Sequence, residues 1–189
     1  MMKPARIEII SNEAEGFKQA LDVGGLFHVF ADTGLPAYSQ RYKMVEDFSF
    51  GRAVVVDDQD NFFHIKPDGS PAYAERYLTV KMFTIVEEDL FLSVVMDNDR
   101  NCFHIDRDGR PAYLYRFDYA GDFSSGLAPI RTDEVYYYIL PNGEPAHGPR
   151  DSFDLAAEFY LDVATVVKNG RQFKILPDGT ELGAFGKKH

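Results

Sequence analysis

The 189-residue chain has no tryptophan, a single cysteine and a shortage of positive charge, with 20 Lys and Arg against 30 Asp and Glu. Each shortage excludes something. With Cys102 alone, neither an intrachain disulfide nor a cysteine zinc cluster can form, which fits a reducing compartment. The formal net charge of -10 repels nucleic-acid phosphates and anionic membrane surfaces, because either partner needs a Lys/Arg footprint. No nucleic-acid and no membrane partner is therefore expected. Long apolar runs are also missing: Ala53 to Val56 and Leu90 to Met96 fall far short of the ~20 residues of a spanning helix. The first residues are basic, but Glu8 and Glu13 interrupt them before a signal-peptide core forms, so the expected address is cytoplasmic.

Catalytic signatures are missing too. The chain contains no Gly-x-Ser-x-Gly elbow, no phosphate-cradling Gly-x-x-x-x-Gly-Lys-Ser/Thr, no Gly-x-Gly-x-x-Gly and no His-Glu-x-x-His. A non-enzymatic protein without a cofactor is the expectation.

What is present is a repeat. Phe63-His64-Ile65-Lys66-Pro67-Asp68-Gly69-Ser70-Pro71-Ala72-Tyr73 returns as Phe103-His104-Ile105-Asp106-Arg107-Asp108-Gly109-Arg110-Pro111-Ala112-Tyr113. Looser copies begin at Phe27-His28-Val29, at Tyr137-Tyr138-Ile139 and at Phe173-Lys174-Ile175. The glycines Gly34, Gly69, Gly109, Gly143 and Gly179 follow one another at intervals of 35, 40, 34 and 36 residues. A period of this size is the mark of a repeat architecture.

A second apolar run precedes each copy, as in Ala53-Val54-Val55-Val56 and Val163-Ala164-Thr165-Val166-Val167. Small residues (Ala53, Ser93, Ala128, Ala164) stand two positions before Val55, Val95, Ile130 and Val166, hence on the same strand face. Polar turns such as Asp57 to Asn61, Asp97 to Asn101 and Asn169-Gly170 separate the runs, so each repeat holds a β-hairpin. The following Pro-Ala-Tyr-x-x-Arg-Tyr/Phe segment reads as a third extended piece, with proline at a strand start or edge.

The reading is a single all-β domain of about five three-stranded meanders, over residues 1–34, 35–69, 70–109, 110–143 and 144–179 with a tail at 180–189. Since the first segment supplies a whole unit and neither end reads as a capping helix, a closed propeller-like toroid is preferred to an open β-solenoid. In the first unit the strands are read at Ile7 to Ile10, Phe17 to Asp22 and Phe27 to Phe30. No segment sustains a 3.6-residue pattern beyond about two turns, so the reading is strand, with one short helix each at Asn12 to Leu21 and Ser152 to Tyr160 as the minor alternative. A longer loop is expected at Val80 to Asp89.

At these residues the chain resembles the bacterial WG-repeat proteins, whose units carry a pattern like F-x-x-G-x-A-x-V, a turn, and then W-G-x-I-x-x-x-G. Phe48-x-x-Gly51-x-Ala53-x-Val55 and Phe123-x-x-Gly126-x-Ala128-x-Ile130 match the first half, and Ile65-x-x-x-Gly69 and Ile105-x-x-x-Gly109 match the end. The Trp-Gly positions read Leu26-Phe27, Phe62-Phe63, Cys102-Phe103, Tyr136-Tyr137 and Gln172-Phe173, which marks a divergent branch. The resemblance implies a β-repeat scaffold and brings no catalytic residues.

Several registers are candidates for function. His28, His64 and His104 share one, but Tyr138 and Lys174 occupy it in the other repeats, which a metal site would not tolerate. Asp97-x-Asp99-x-Asn101 starts like a calcium loop, yet Cys102 stands in place of the loop glycine, so a polar turn is expected. Tyr38, Tyr73 and Tyr113 share a register with His147 and, if exposed, would form a ligand platform. Arg41, Arg76, Arg116 and Arg150 each lie five residues after a repeat's proline. A planar guanidinium with five donors at one offset predicts a repeated bridge to backbone oxygens or acidic side chains; a ring of exposed arginines taking acidic ligands is the other reading. The function expected is a binding module for a protein or peptide, with carbohydrate or small-molecule binding at repeated pockets as the alternative.

Overall fold

The computed structural model describes residues 6–148 and 151–182, and among them the regular structure is entirely β-strand. Sixteen strands follow in order: β1 (Glu8–Ile9), β2 (Phe17–Asp22), β3 (Gly25–Phe30), β4 (Met44–Val45), β5 (Ala53–Val56), β6 (Phe62–Ile65), β7 (Thr79–Val80), β8 (Thr84–Glu87), β9 (Leu90–Met96), β10 (Cys102–Ile105), β11 (Tyr119–Ala120), β12 (Ala128–Thr132), β13 (Val135–Ile139), β14 (Leu155–Ala156), β15 (Ala164–Lys168) and β16 (Arg171–Ile175). They form five antiparallel sheets, ordered β1-β2-β3, β4-β5-β6, β7-β9-β10 with β8 also paired to β9, β11-β12-β13 and β14-β15-β16.

The chain divides into two compact parts, one made of residues up to Phe83 with 95–98 and 107–109, the other of 84–94, 99–106 and the residues from Arg110 onward. The first part holds the sheets β1-β2-β3 and β4-β5-β6, and the pairing of Thr79 and Val80 with Met96 and Val95. In the second part, Leu127, Tyr138, Phe153, Ala156, Phe159, Ala164, Val166 and Ile175 form one apolar cluster.

Each hairpin follows from its turn chemistry. The Asp57 carboxylate accepts hydrogen bonds from the backbone N–H groups of Gln59 and Asn61 at 2.9 and 3.0 Å, and Asp60 takes the left-handed region at φ 64°. That closes β5 onto β6 with Val55 opposite Phe63. Asp97 to Asn101 is likewise the turn between β9 and β10, with Arg100 at φ 66°. Beyond each hairpin the Asp-Gly turn reverses the chain: Gly69 N–H donates to Lys66 O at 2.9 Å, at φ 79°. Gly143, after Asn142, and Gly179 do the same toward Leu140 O and Leu176 O at 2.8 and 2.9 Å, and Gly109, Gly143 and Gly179 share the left-handed angle at φ 82°, 84° and 82°.

Most of the strand positions expected in the core are buried, but burial does not alternate strictly along the strands. Phe63, Ile65, Phe103, Ile105, Ile139, Ile175, Ala53, Val55, Val95, Ala128 and Val166 are buried, while Tyr137 and Phe173 are half-buried. All four residues of β5 and of β10 are buried, so these strands are covered on both faces.

Two sequence expectations are corrected, the third strand and the long loop. The Pro-Ala-Tyr-x-x-Arg-Tyr segments are not strands; they are loops held at both ends by isolated bridges, Ile65 to Pro71 and Phe62 to Tyr77 in one copy. The third strand of each sheet is the dipeptide just beyond, such as Met44–Val45 or Tyr119–Ala120. The strand read at Phe17 to Asp22 is β2, and Glu15 and Gly16, at φ 49° and 83°, turn the chain into it and leave no helix over Asn12 to Leu21. Over Ser152 to Tyr160, Phe153, Asp154 and Ala157 donate to Tyr136, Val167 and Thr165, so ladder bonds win over a local helix. The expected loop at Val80 to Asp89 contains β8, whose Thr84-Ile85-Val86 run suits a strand and pairs with β9 through a turn with Asp89 at φ 64°.

Candidate functional site

The recurring polar residues form one assembly, copied three times. In its first copy the Tyr38 hydroxyl lies 2.5 Å from His28 Nδ1 and also accepts from the His28 backbone N–H at 3.1 Å. His28 Nε2 lies 2.9 Å from Glu46 O. A carbonyl oxygen only accepts, so Nε2 carries the proton, and in the neutral ring Nδ1 accepts from the tyrosine. His64 repeats this with Tyr73 at 2.7 Å and Lys81 O at 3.0 Å, and His104 with Tyr113 at 2.5 Å and Gly121 O at 2.9 Å. A phenylalanine ring covers each imidazole: Phe48 on His28 at 4.5 Å, Phe83 on His64 at 4.2 Å and Phe123 on His104 at 4.5 Å.

Burial sets the charge state of this assembly. It holds His28 below the ordinary imidazole range and pushes His64 down to about 3, because desolvation penalises the imidazolium. The same desolvation raises the phenols of Tyr38, Tyr73 and Tyr113. These are neutral, fully engaged groups.

The tyrosines therefore do not form an exposed platform: Tyr38, Tyr73 and Tyr113 are buried. Each ring lies on the glycine of a following Asp-Gly or, for Tyr113, Asn-Gly turn. A methyl group on Gly69 would stand 2.4 Å from Tyr38, and one on Gly109 would stand 2.5 Å from Tyr73. Glycine is needed there for close approach as well as for its backbone angle.

The arginines sit just outside. Nη1 of Arg76 donates to the carbonyls of Tyr73, Ala74 and Glu75 at 3.3, 3.0 and 2.9 Å, and its guanidinium lies 3.7 Å above the Phe63 ring. Arg41 and Arg116 gather the carbonyls of 38–40 and 113–115 in the same way and cover Phe27 and Phe103 at 3.5 and 3.6 Å. Arg41 adds Asp22, at 2.8 Å, and this bond holds the Asp22 carboxyl below its usual range. The bridge to backbone oxygens is thus made three times. The recurring turn residues Asp68 and Asp108 are not its acceptors; the loop's own carbonyls are. Arg150 lies outside the described residues.

One copy is reversed. At Tyr138 and His147 the two residue types exchange places, and the Tyr138 hydroxyl donates to Ala157 O at 2.6 Å, taking over the role of the imidazole Nε2–H. His147, where the other copies have tyrosine, has a buried Nε2 without a hydrogen-bond partner among the described residues. It is also held more loosely, since a methyl group on Gly179 would stand 3.4 Å away. Beside it opens a cavity of about 290 Å³ lined by Val135, Tyr137, Tyr138, Pro145, His147 and Ser152 among others. His147 also borders a second cavity, of about 240 Å³, with Lys168 and Arg171 in its wall.

Of the candidates read from the sequence, the structure joins each of the three tyrosines to its own histidine, leaves the arginines as loop caps, and singles out His147. Sequence reasoning recorded both registers without pairing them. The signal was the exchange itself, histidine for tyrosine and tyrosine for histidine within one repeat, nine residues apart as in His64 and Tyr73.

Among solved structures, the chain is similar to the computationally designed Ika8 protein, at 12% identity and a TM-score of 0.52 over 90% of this chain and 59% of that one. It is also similar to BamB from Moraxella catarrhalis, at 10% identity and a TM-score of 0.52 over 95% of this chain and 64% of that one. The WD40 beta propeller domain of Doa1 matches at 11% identity and a TM-score of 0.39, over 84% and 64%. The first two likenesses concern the fold alone, and the chain spans about three fifths of the length of these three structures. The comparison with curated proteins returned no match. Residues 105–136 match the family described as WG containing repeat, and on that segment the match bears out the resemblance to the WG-repeat proteins.

Proposed function

We propose that the chain is a non-enzymatic β-repeat module that binds a protein or peptide. One observation carries this reading. In the loop held by Arg116, Leu114 is 94% exposed and Tyr115 is 56% exposed. The corresponding positions in earlier repeats are Ser39-Gln40 and Ala74-Glu75. Tyr115 stacks on Phe117 at 6.5 Å, which keeps its ring on a firm base. A large aliphatic side chain and a braced aromatic one, both in water where other copies are polar or small, have the character of a recognition surface. The internal polar groups support this from below: the histidines, tyrosines and arginines of the repeat serve each other and leave the variable loop residues to meet a partner.

The test is selection of peptides from a displayed random library on the immobilised chain. Affinities of the enriched peptides are then measured by fluorescence polarisation for the wild type and for the double variant L114S/Y115S. A loss of tenfold or more in the variant supports the reading. Failure to enrich any peptide, or equal binding by the variant, overturns it.

A further inference from the structure

The reversed copy leaves a buried nitrogen without a partner beside an open cavity, and the rest of the fold shows what completes such a place. Three times, an imidazole Nδ1 is paired with a phenol hydroxyl at 2.5 to 2.7 Å while Nε2 bonds a backbone carbonyl, so the imidazole of this fold takes a phenol on one nitrogen and has a partner on the other. In the reversed copy the imidazole is present at His147, and no phenol of the chain's own bonds its Nε2 among the described residues. We propose that the cavity beside His147 is a binding site for a neutral para-substituted phenol whose hydroxyl pairs with the His147 imidazole.

Size and lining favour such a ring. A cavity of about 150 Å³ suffices for benzene, and this one measures about 290 Å³. Tyr137, Pro145 and Val135 give it apolar walls, and Tyr137 adds an aromatic ring against which an aromatic ligand can stack. Ser152 adds a hydroxyl. Asp151 also borders the cavity, in a chain whose net charge is -10, so an anion is disfavoured and a neutral ligand preferred. A buried polar atom left unpaired is costly, and a ligand hydroxyl that takes up the nitrogen removes that cost. His147 lines both this cavity and the second one, so its imidazole borders the space the ligand would fill.

The phenol can be a free compound or a tyrosine side chain, and the chemistry of recognition is the same for both. The site uses neither Leu114 nor Tyr115, so it stands or falls separately from the peptide surface proposed above.

The full chain is titrated with p-cresol, with toluene and with N-acetyl-tyrosinamide, followed by calorimetry and by the imidazole NMR signals. The expected result is p-cresol binding roughly tenfold tighter than toluene, the increment of one good hydrogen bond, with the His147 signals moving. His147→Tyr places a phenol in the register of Tyr113, fills the site and abolishes p-cresol binding; Val135→Trp, at an exposed wall position, blocks it without touching the core. Binding of N-acetyl-tyrosinamide identifies a tyrosine side chain as a source, and its failure beside p-cresol binding identifies a free phenol. No p-cresol binding, equal affinity for toluene, or unchanged binding in both variants overturns the proposal.

Discussion

Acid should weaken this fold before its carboxylates begin to protonate, through the buried imidazoles. His64 is neutral in the folded chain, with its ionisation pushed down to about 3, against 6.5 for a free imidazole. A group whose folded value lies below its unfolded value contributes stability that is complete above the unfolded value and is lost as pH falls toward the folded one. The window therefore opens near pH 6.5 and extends to about pH 3. Well below pH 6.5 the unfolded chain takes up nearly one proton at this site and the folded chain almost none, so the slope rises from about half of 1.4 kcal/mol per pH unit at pH 6.5 to about 1.4 by pH 5. Between pH 6.5 and pH 5 His64 alone removes about 2 kcal/mol. His28, shifted in the same direction by the same burial, adds to the loss. Urea unfolding followed by tyrosine fluorescence at pH 7.5, 6.5, 5.5 and 5.0 measures it, with His64→Gln as the control whose slope is shallower. An unfolding free energy that stays level from pH 7 to pH 5 would refute the reasoning.

Other expectations follow from the same contacts. Arg76→Met removes three carbonyl contacts and a cation on Phe63, so unfolding should become about 2 kcal/mol easier by chemical denaturation; an unchanged midpoint contradicts the bridge. Tyr73→Phe strips the hydroxyl from both His64 Nδ1 and the His64 N–H, and should cost about 1–3 kcal/mol while keeping the ring on Gly109. Gly69→Ala should lower the melting temperature more than Gly179→Ala, since the added methyl meets Tyr38 at 2.4 Å in one case and His147 at 3.4 Å in the other; equal effects would show that backbone angle alone decides.

The repeat, the hairpins and the Asp-Gly turns were legible in the sequence because they rest on local chemistry: alternation, turn residues and a fixed period. The third strand was misplaced for an equally physical reason. Pro71-Ala72-Tyr73 is extended in character, but its strand-like bonding ends at one bridge, and the ladder passes to Thr79–Val80, a dipeptide too short to leave a pattern. The strand at Phe17 to Asp22 was legible from its own pattern, whereas the turn at Glu15-Gly16 that leads into it shows only in its positive backbone angles. The arginine register was readable as a bridge because guanidinium geometry restricts its acceptors, whereas the identity of those acceptors required coordinates. The tyrosine–histidine pairing was invisible as a contact, although its exchange at Tyr138 and His147 stood in the sequence. Cavities leave no sequence pattern at all, so Val135, Pro145 and Ser152 came to notice only through the structure.

The central claim is that the recurring residues hold the fold together and that binding sits where the recurrence breaks. One long-range proton–nitrogen spectrum of the imidazoles, recorded with and without p-cresol, tests both halves. The account predicts that His28, His64 and His104 appear as neutral rings protonated at Nε2 and do not move, while His147 alone responds to the ligand. Movement of the three recurring histidines, a tautomer protonated at Nδ1 in them, or a silent His147 would contradict it.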